Sequence, residues 1–242
     1  MDTARISELL QPFLALNPGE STGFGPSELE NISTYIDLLL RWNARINLTA
    51  VRRPEEIVTR HFGESFFAAR YLFPVRAAQG QPVHHLIDVG SGAGFPGLPI
   101  KIWLPSLRVT LIESNQKKAT FLREVIRSLA LMDVDVFAGR AEEFSQPASV
   151  VTLRAVERFE TIVPTTVRLV SADGRLALLA GAAQVALARE LAPDFTWAEP
   201  TPVPLSSHRV LLIATRKLFD TLDRGSTIMQ DSARIVPRLR SD

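Results

Sequence analysis

Apolar residues recur every three or four positions through the first eighty residues of the chain, and beyond them gather into short runs separated by amphipathic stretches. The first pattern predicts helices. Ile6 to Leu16 has the spacing of a short helix that Pro18 and Gly19 end. Leu29, Ile32, Ile36, Leu39 and Leu40 mark a longer one reaching about Ala44, and Ser27 with Glu30 fits a capping box at its start. Pro54-Glu55-Glu56 opens a third, with proline near the first helical position and acids set against the helix dipole. It carries Arg60, His61, Glu64 and Ser65 into an aromatic segment from Phe66 to Tyr71, and a polar linker, Gln79 to Pro82, closes the region.

The pattern then changes to alternating strands and helices. Apolar runs predict strands at Leu86–Val89, Arg108–Glu113, Val134–Phe137, Val150–Leu153 and Leu176–Leu179, the last ended by Gly181. Between them Phe95–Trp103 and Gln116–Leu129 have helical spacing, the latter with Phe121, Leu122, Val125, Ile126 and Leu129 on its buried side. Thr196–Val203 and Arg209–Thr215 are close enough in sequence to pair as a hairpin. Such alternation argues for an α/β fold with a mostly parallel sheet, right-handed crossovers and ligands at the carboxyl ends of the strands. The expected organisation is a helical region over 1–82 packed on a core over 83–216, with a tail over 217–242 that lacks a strong apolar period.

The first strand runs into Asp88-Val89-Gly90-Ser91-Gly92-Ala93-Gly94-Phe95-Pro96-Gly97. Glycine lacks a Cβ and tolerates positive φ, so this loop can bring backbone close to a ligand. Two registers are open. Gly92, Gly94 and Gly97 fit G-x-G-x-x-G, the dinucleotide fingerprint. Gly90, Gly92 and Gly94 after Asp88 read instead as D-x-G-x-G, which resembles the first motif of class I S-adenosylmethionine (SAM) methyltransferases. The charge of Asp88 at the strand's end, Pro96 inside the x-x of the first register, and some 85 residues ahead of the loop favour the second.

Composition narrows the chemistry. At 242 residues and 46% hydrophobic content the chain can bury a substantial core, and no apolar run reaches the roughly 20 residues of a membrane span. With no apolar h-region near the N-terminus, a soluble cytoplasmic protein is expected. The absence of cysteine removes disulfides, thiolate zinc sites and cysteine nucleophiles, and with them pyrimidine C5 methylation and radical SAM chemistry. The four histidines show no metal-ligand spacing, and no P-loop motif occurs. Net charge is only +1, so any nucleic-acid contact rests on local clusters such as Arg41, Arg45, Arg52, Arg53 and Arg60.

Three strand ends offer suitable groups for an adenosine cofactor. Glu113, 23 residues after Gly90, can accept both ribose hydroxyls. Ala141 and Glu142 follow the third strand, where a small residue can line an adenine pocket and an acid can meet its exocyclic amine. Arg154 ends the fourth; it could grip a phosphate, a guanine O6 or the cofactor, or pair with a structural acid. The sequence Thr152-Leu153-Arg154-Ala155-Val156 lacks the Asn/Asp-Pro-Pro-aromatic signature of exocyclic-amine methylation. A ring nitrogen such as guanine N7 needs no general base, only alignment. The segment Arg41-Trp42-Asn43-Ala44-Arg45-Ile46-Asn47-Leu48-Thr49 fits either a helix end with a capping loop or a basic, aromatic RNA surface; the residues alone favour the former.

These segments in order, with Arg60-His61-Phe62, the F-P-G glycine loop, Arg140-Ala141-Glu142-Glu143 and Arg154-Ala155, resemble the 16S ribosomal RNA guanine-N7 methyltransferases, also called the glucose-inhibited division protein B family, over about Leu29 to Arg216. The resemblance implies a class I, Rossmann-like, seven-stranded mostly parallel sheet with an antiparallel final strand and an N-terminal helical extension. It implies SAM-dependent methylation of N7 of one guanine in the decoding-region loop of 16S rRNA, on rRNA or the small ribosomal subunit, by a monomer. Asp88, Gly90, Gly92, Gly94, Phe95, Glu113, Ala141, Glu142 and Arg154 are the expected cofactor-binding residues, Arg154 and His61 the catalytic candidates, and Arg41, Asn43, Arg45 and Arg60 the RNA contacts, with no metal. Gly63-Glu64-Ser65 stands where the family often has Leu-Asp-Ser, and Ala180-Gly181 where many members have a lysine before the glycine. The competing readings are a SAM methyltransferase for a small molecule or protein, and a non-catalytic ribosome assembly factor.

Overall fold

The computed structural model describes residues 1–14, 23–74, 84–154 and 158–217. The expected helix end at Pro18 and Gly19, the linker Gln79 to Pro82, Ala155 with Val156, and the tail after Lys217 lie outside them.

Four helical segments precede the sheet: α1 (Thr3–Leu14), α2 (Pro26–Asn43), α3 (Pro54–Ile57) and α4 (Glu64–Leu72), with a π turn over Val58–Gly63 joining the last two. The capping box expected from Ser27 and Glu30 sits two residues earlier. Pro26 occupies the first helical position, Gly25 is the N-cap, and Glu28 Oε2 accepts the Gly25 amide at 2.6 Å. Proline's fixed φ and missing N–H suit that position and set the start. The π turn lies against α1, where a Cβ on Gly63 would stand 2.6 Å from the Phe13 ring. The Gly63-Glu64-Ser65 departure therefore begins with a residue that Phe13 requires to be small.

The sheet contains β1 (His85–Val89), β2 (Arg108–Ile112), β3 (Val134–Phe137), β4 (Ala148–Arg154), β5 (Val170–Gly181), β6 (Phe195–Trp197), β7 (Thr201–Pro202) and β8 (Arg209–Arg216), connected through α5 (Gly97–Trp103), α6 (Gln116–Ser128), α7 (Phe159–Arg168) and α8 (Val185–Leu191). Its order is β3-β2-β1-β4-β5-β8-β6, with β7 also on β8. The first five strands are parallel, and β8 runs antiparallel to β5, β6 and β7. The seven-stranded expectation becomes eight because the outer arm of the hairpin is cut in two. Trp197 pairs with Ala214 and Thr201 with Leu211, so the outer arm carries one residue more than β8 across the gap that holds Pro200. A proline cannot donate to the ladder, and an extra residue there is a bulge.

Side chains alternate between two faces of the sheet. Leu86, Val109 and Val150 join α1, α2, α4, α5 and α6 in one apolar cluster; Ile87, Val151 and Leu176 join α7 and α8 in the other. The helical region thus shares its core with the sheet. Two helices, α7 and α8, add to the expected elements. In α7 the buried side includes Thr165 and Thr166, whose hydroxyls return to the carbonyls of Thr161 and Ile162, and Pro164 interrupts the sequence signal.

Candidate active site

The glycine loop leaves β1 with Gly90, Gly92 and Gly94 at φ 67°, 58° and 91°, all in the left-handed region. Asp88 is 1% exposed and turned into this loop: its Oδ2 accepts the Gly97 amide at 3.2 Å and its Oδ1 the Thr152 hydroxyl at 2.8 Å. A Cβ on Gly97 would stand 2.9 Å from Asp88 Cβ and Oδ2. The amide that a dinucleotide fold would offer to pyrophosphate is therefore spent on an internal acid, and the D-x-G-x-G register describes the loop. Burial raises the Asp88 carboxyl from 3.8 to about 6 despite those bonds. Helix α5 begins at Gly97, two residues later than expected, after a cis Phe95–Pro96 peptide.

The loop is braced from the helical region. Tyr35 of α2 is fully buried; its hydroxyl donates to the Ala93 carbonyl at 2.5 Å, and its ring stacks on Phe95 at 5.3 Å between centroids and 7° between planes. His61 stacks on the same Phe95 at 4.7 Å and 28°.

Two cavities meet at the carboxyl ends of the strands, sharing Gly90 and Glu113 in their walls. The first, about 310 Å³, is lined by Thr49, Arg60, His61, Phe95, Lys118, Arg154 and Arg209 among others. The second, about 280 Å³, is lined by Val89, Ile112, Ala141, Glu142, Arg158 and Ile162 among others. Glu113 at their junction accepts the Gly92 amide on Oε2 at 2.9 Å and the Asn115 amide on Oε1 at 2.8 Å. Each carboxylate oxygen keeps a further lone pair for a ligand hydroxyl.

At the inner end of the first cavity Arg154 is 8% exposed. Its Nη2 donates to the Arg60 carbonyl at 2.6 Å and to His61 Nδ1 at 3.0 Å, and stands 3.2 Å from Glu64 Oε2. Glu64, itself 3% exposed, also pairs with Arg209 at 2.6 Å. Arg154 Nε and Nη1 are buried with no partner. Burial pulls the Arg154 guanidinium down to about 10 against the raising effect of Glu64, so it stays charged at neutral pH. Both alternatives for Arg154 thus meet in one side chain: it pairs with a structural acid and keeps two N–H groups in reserve.

Burial, followed by Arg154, Arg60 and Arg209, pushes the His61 pKa from 6.5 down to about 3. The neutral ring therefore contributes stability above pH 6.5 that is lost as pH falls toward 3. Asp88 acts in the opposite sense: its contribution is complete below 3.8 and is lost as pH rises through 6. Thermal unfolding of wild type and His61→Gln separates the two, because Asp88 is common to both. Between pH 6.5 and 5 the wild type should lose about 2 kcal/mol relative to the variant; parallel stability curves would contradict this origin.

The structure brings Gly90, Gly92, Phe95, Glu113, Ala141, Glu142, Arg154, Arg60 and His61 to the cavity walls. Asp88 and Gly94 line neither described cavity; they shape the loop from behind. Asn43 is 4% exposed and bonded to its own chain: Oδ1 accepts the Leu48 and Thr49 amides and Nδ2 donates to the Thr49 carbonyl. That is the capping-loop reading, and it corrects the expectation of an RNA contact there. Trp42 likewise packs on Phe121 at 5.7 Å. Arg41 and Arg45 are exposed outside the cavities, and Arg41 Nε bonds the Asp37 carbonyl. His61, a catalytic candidate from the sequence, has both ring nitrogens engaged, one with Thr49 Oγ1 and the other with Arg154 Nη2. Sequence reasoning missed Tyr35, Thr49, Glu64 and Arg209 as site residues. Only the pairing of Arg209 with Gly181 across β5 and β8 brings that arginine to the strand ends, and nothing local in the sequence signals it.

Comparison with known proteins agrees with this arrangement. A sequence model described as rRNA small subunit methyltransferase G matches residues 28–204. The chain is 43% identical over 150 residues to the ribosomal RNA small subunit methyltransferase G of Xylella fastidiosa (strain 9a5c), which covers 61% of this chain and 66%, just under two thirds, of that protein. It is 37% identical over 203 residues to the protein of the same name from Roseiflexus castenholzii, covering 78% of this chain and 83% of the relative. Among solved structures, magnesium protoporphyrin IX methyltransferase from Synechocystis PCC 6803 with bound SAM shares the fold, with a TM-score of 0.59 at 13% identity over 81% of this chain and 99% of that one. With the glycine-loop register decided by Asp88 and the strand-end groups assembled on one crevice, the chain belongs to the rRNA small subunit methyltransferase G family.

Proposed function

We propose that this protein transfers the methyl group of SAM to N7 of a guanine in the decoding-region loop of 16S rRNA, acting as a cytoplasmic monomer on the rRNA or the small subunit. The observation that carries the reading is the pair of joined cavities with Glu113 at the junction and the partnerless N–H groups of Arg154 at the inner end.

These residues fit the cofactor. A carboxylate with spare lone pairs suits two ribose hydroxyls, the small Ala141 and nearby Glu142 suit an adenine, and a buried guanidinium with two unused donors suits a methionine carboxylate. When bound, SAM supplies an electrophilic methyl on a sulfonium. Phe95, stacked by Tyr35 and His61, contributes apolar wall to the same cavity. Guanine N7 carries an in-plane lone pair, so no proton has to be removed before attack. His61 accordingly serves to hold Arg154 and Thr49 in place, and its suppressed pKa keeps it neutral in that role. Catalysis then rests on alignment, which can contribute roughly 7–11 kcal/mol.

Arg60, Lys118 and Arg209 at the cavity supply cationic donors for RNA phosphate, with Arg41 and Arg45 on the neighbouring surface as further contacts. In this reading the helical region 1–82 braces the core 83–216. The test is primer extension across small-subunit rRNA after chemical cleavage at 7-methylguanine, in cells with and without the gene. One guanine-specific stop should vanish with the gene; an unchanged pattern rejects the assignment.

A further inference from the structure

The hydrogen bonds around His61 fix more than its position. Arg154 Nη2 lies 3.0 Å from His61 Nδ1, and a guanidinium can only donate, so Nδ1 is the acceptor. The single proton of the neutral ring is therefore on Nε2, which lies 2.8 Å from Thr49 Oγ1 and donates to it. The Val51 amide donates to the same oxygen at 3.1 Å. A hydroxyl oxygen has two lone pairs, and these two bonds fill both. What remains is the hydrogen of the hydroxyl itself. The polar contacts of Thr49 are otherwise made by its backbone, with Asn43, and no acceptor among the described residues takes the hydroxyl hydrogen. Thr49 lines the first cavity beside His61 and Arg154.

The result is a neutral donor of fixed polarity beside the cations Arg60, Lys118, Arg154 and Arg209; the Ser91 hydroxyl in the same wall is spent on the Asp88 carbonyl and the His61 N–H on Thr49 itself. Cations suit phosphate and carboxylate; a hydroxyl that can only donate suits a neutral carbonyl. On the edge that carries N7, guanine presents the O6 carbonyl, whereas adenine presents an N6 amino group. A donor facing that amino group would leave two hydrogens opposed. Resting on the function proposed above, we propose that Thr49 is a specificity-determining residue whose hydroxyl donates to O6 of the target guanine, leaving N7 free for methyl transfer. Arg154 and His61 act through it as positioning residues that set its polarity.

Small-subunit rRNA carrying guanosine or 2-aminopurine riboside, which lacks O6, at the methylated position provides the test. The ratio of kcat/KM for the two substrates is the readout, because it does not depend on how much of a variant is correctly folded. For the wild type the ratio should be about tenfold, the size of one neutral hydrogen bond. For Thr49→Val it should collapse to about one, and Thr49→Ser should restore it. A wild type that does not distinguish the two bases, or a Thr49→Val protein that keeps the full ratio, overturns the role of Thr49 while leaving guanine methylation standing. A wild type inert on the guanosine substrate overturns both.

Discussion

Arg154→Met is expected to lower methyl transfer by roughly 10²–10³-fold, the loss seen when a pre-organised charged donor is removed from a reacting site. The same change should cost stability less than removal of a buried ion-pair partner usually does. Glu64 keeps Arg209 at 2.6 Å, and the two partnerless N–H groups of Arg154 leave with it. A loss of about 3 kcal/mol, the lower end for breaking a buried pair, is expected in denaturant unfolding. Arg154→Lys should keep more of the stability than of the activity, since an ammonium restores charge but not the fork of donors. Calorimetry with SAM and single-turnover kinetics on small subunits check the two effects separately. A methionine variant with unaltered SAM affinity and rate would remove Arg154 from the machinery.

Gly94→Ala is the second large effect. At φ 91° an alanine is strained, and its Cβ would strike the Tyr35 hydroxyl and stand 2.7 Å from Leu98 Cδ1 and 3.2 Å from Leu122 Cδ2. Left-handed strain and overpacking together should cost about 3 kcal/mol or more, and SAM binding should fail with the loop. Gly92→Ala is the control: its φ is 58° and its added Cβ would meet only the Gly90 carbonyl at 3.8 Å. Strain alone should cost it about 1–2 kcal/mol. Tyr35→Phe in the Gly94→Ala background removes the colliding hydroxyl and should return part of the lost stability. Equal unfolding midpoints for the two alanine variants would contradict the bracing role of α2.

The parallel half of the sheet was legible because its strands are short apolar runs between a glycine loop and an amphipathic helix. Glu113 and Ala141 could be read from their places after strands. The other half was harder for local reasons: β5 extends back through Ser171-Ala172-Asp173-Gly174, residues that read as a turn, and its register shifts there. The site's second tier could not be read at all. Tyr35, Glu64 and Arg209 act on the cavity from three elements far apart in sequence, and an interior tyrosine or a helical glutamate has the same local signature whether or not it faces a site. Asp88 shows the converse. The sequence placed it among the cofactor contacts, but its carboxylate lines neither described cavity and holds the α5 amide instead.

Glu64 carries a consequence for how this protein is made. The acid is translated before its buried partners, Arg154 and Arg209, which come 90 and 145 residues later in the chain. Until β8 has left the ribosome, closing α4 onto the growing sheet would trap a charge lacking one of its two counter-ions. The helix that the ribosome delivers ahead of the sheet is thus among the last pieces able to settle, and synthesis itself withholds a finished crevice until β8 has emerged.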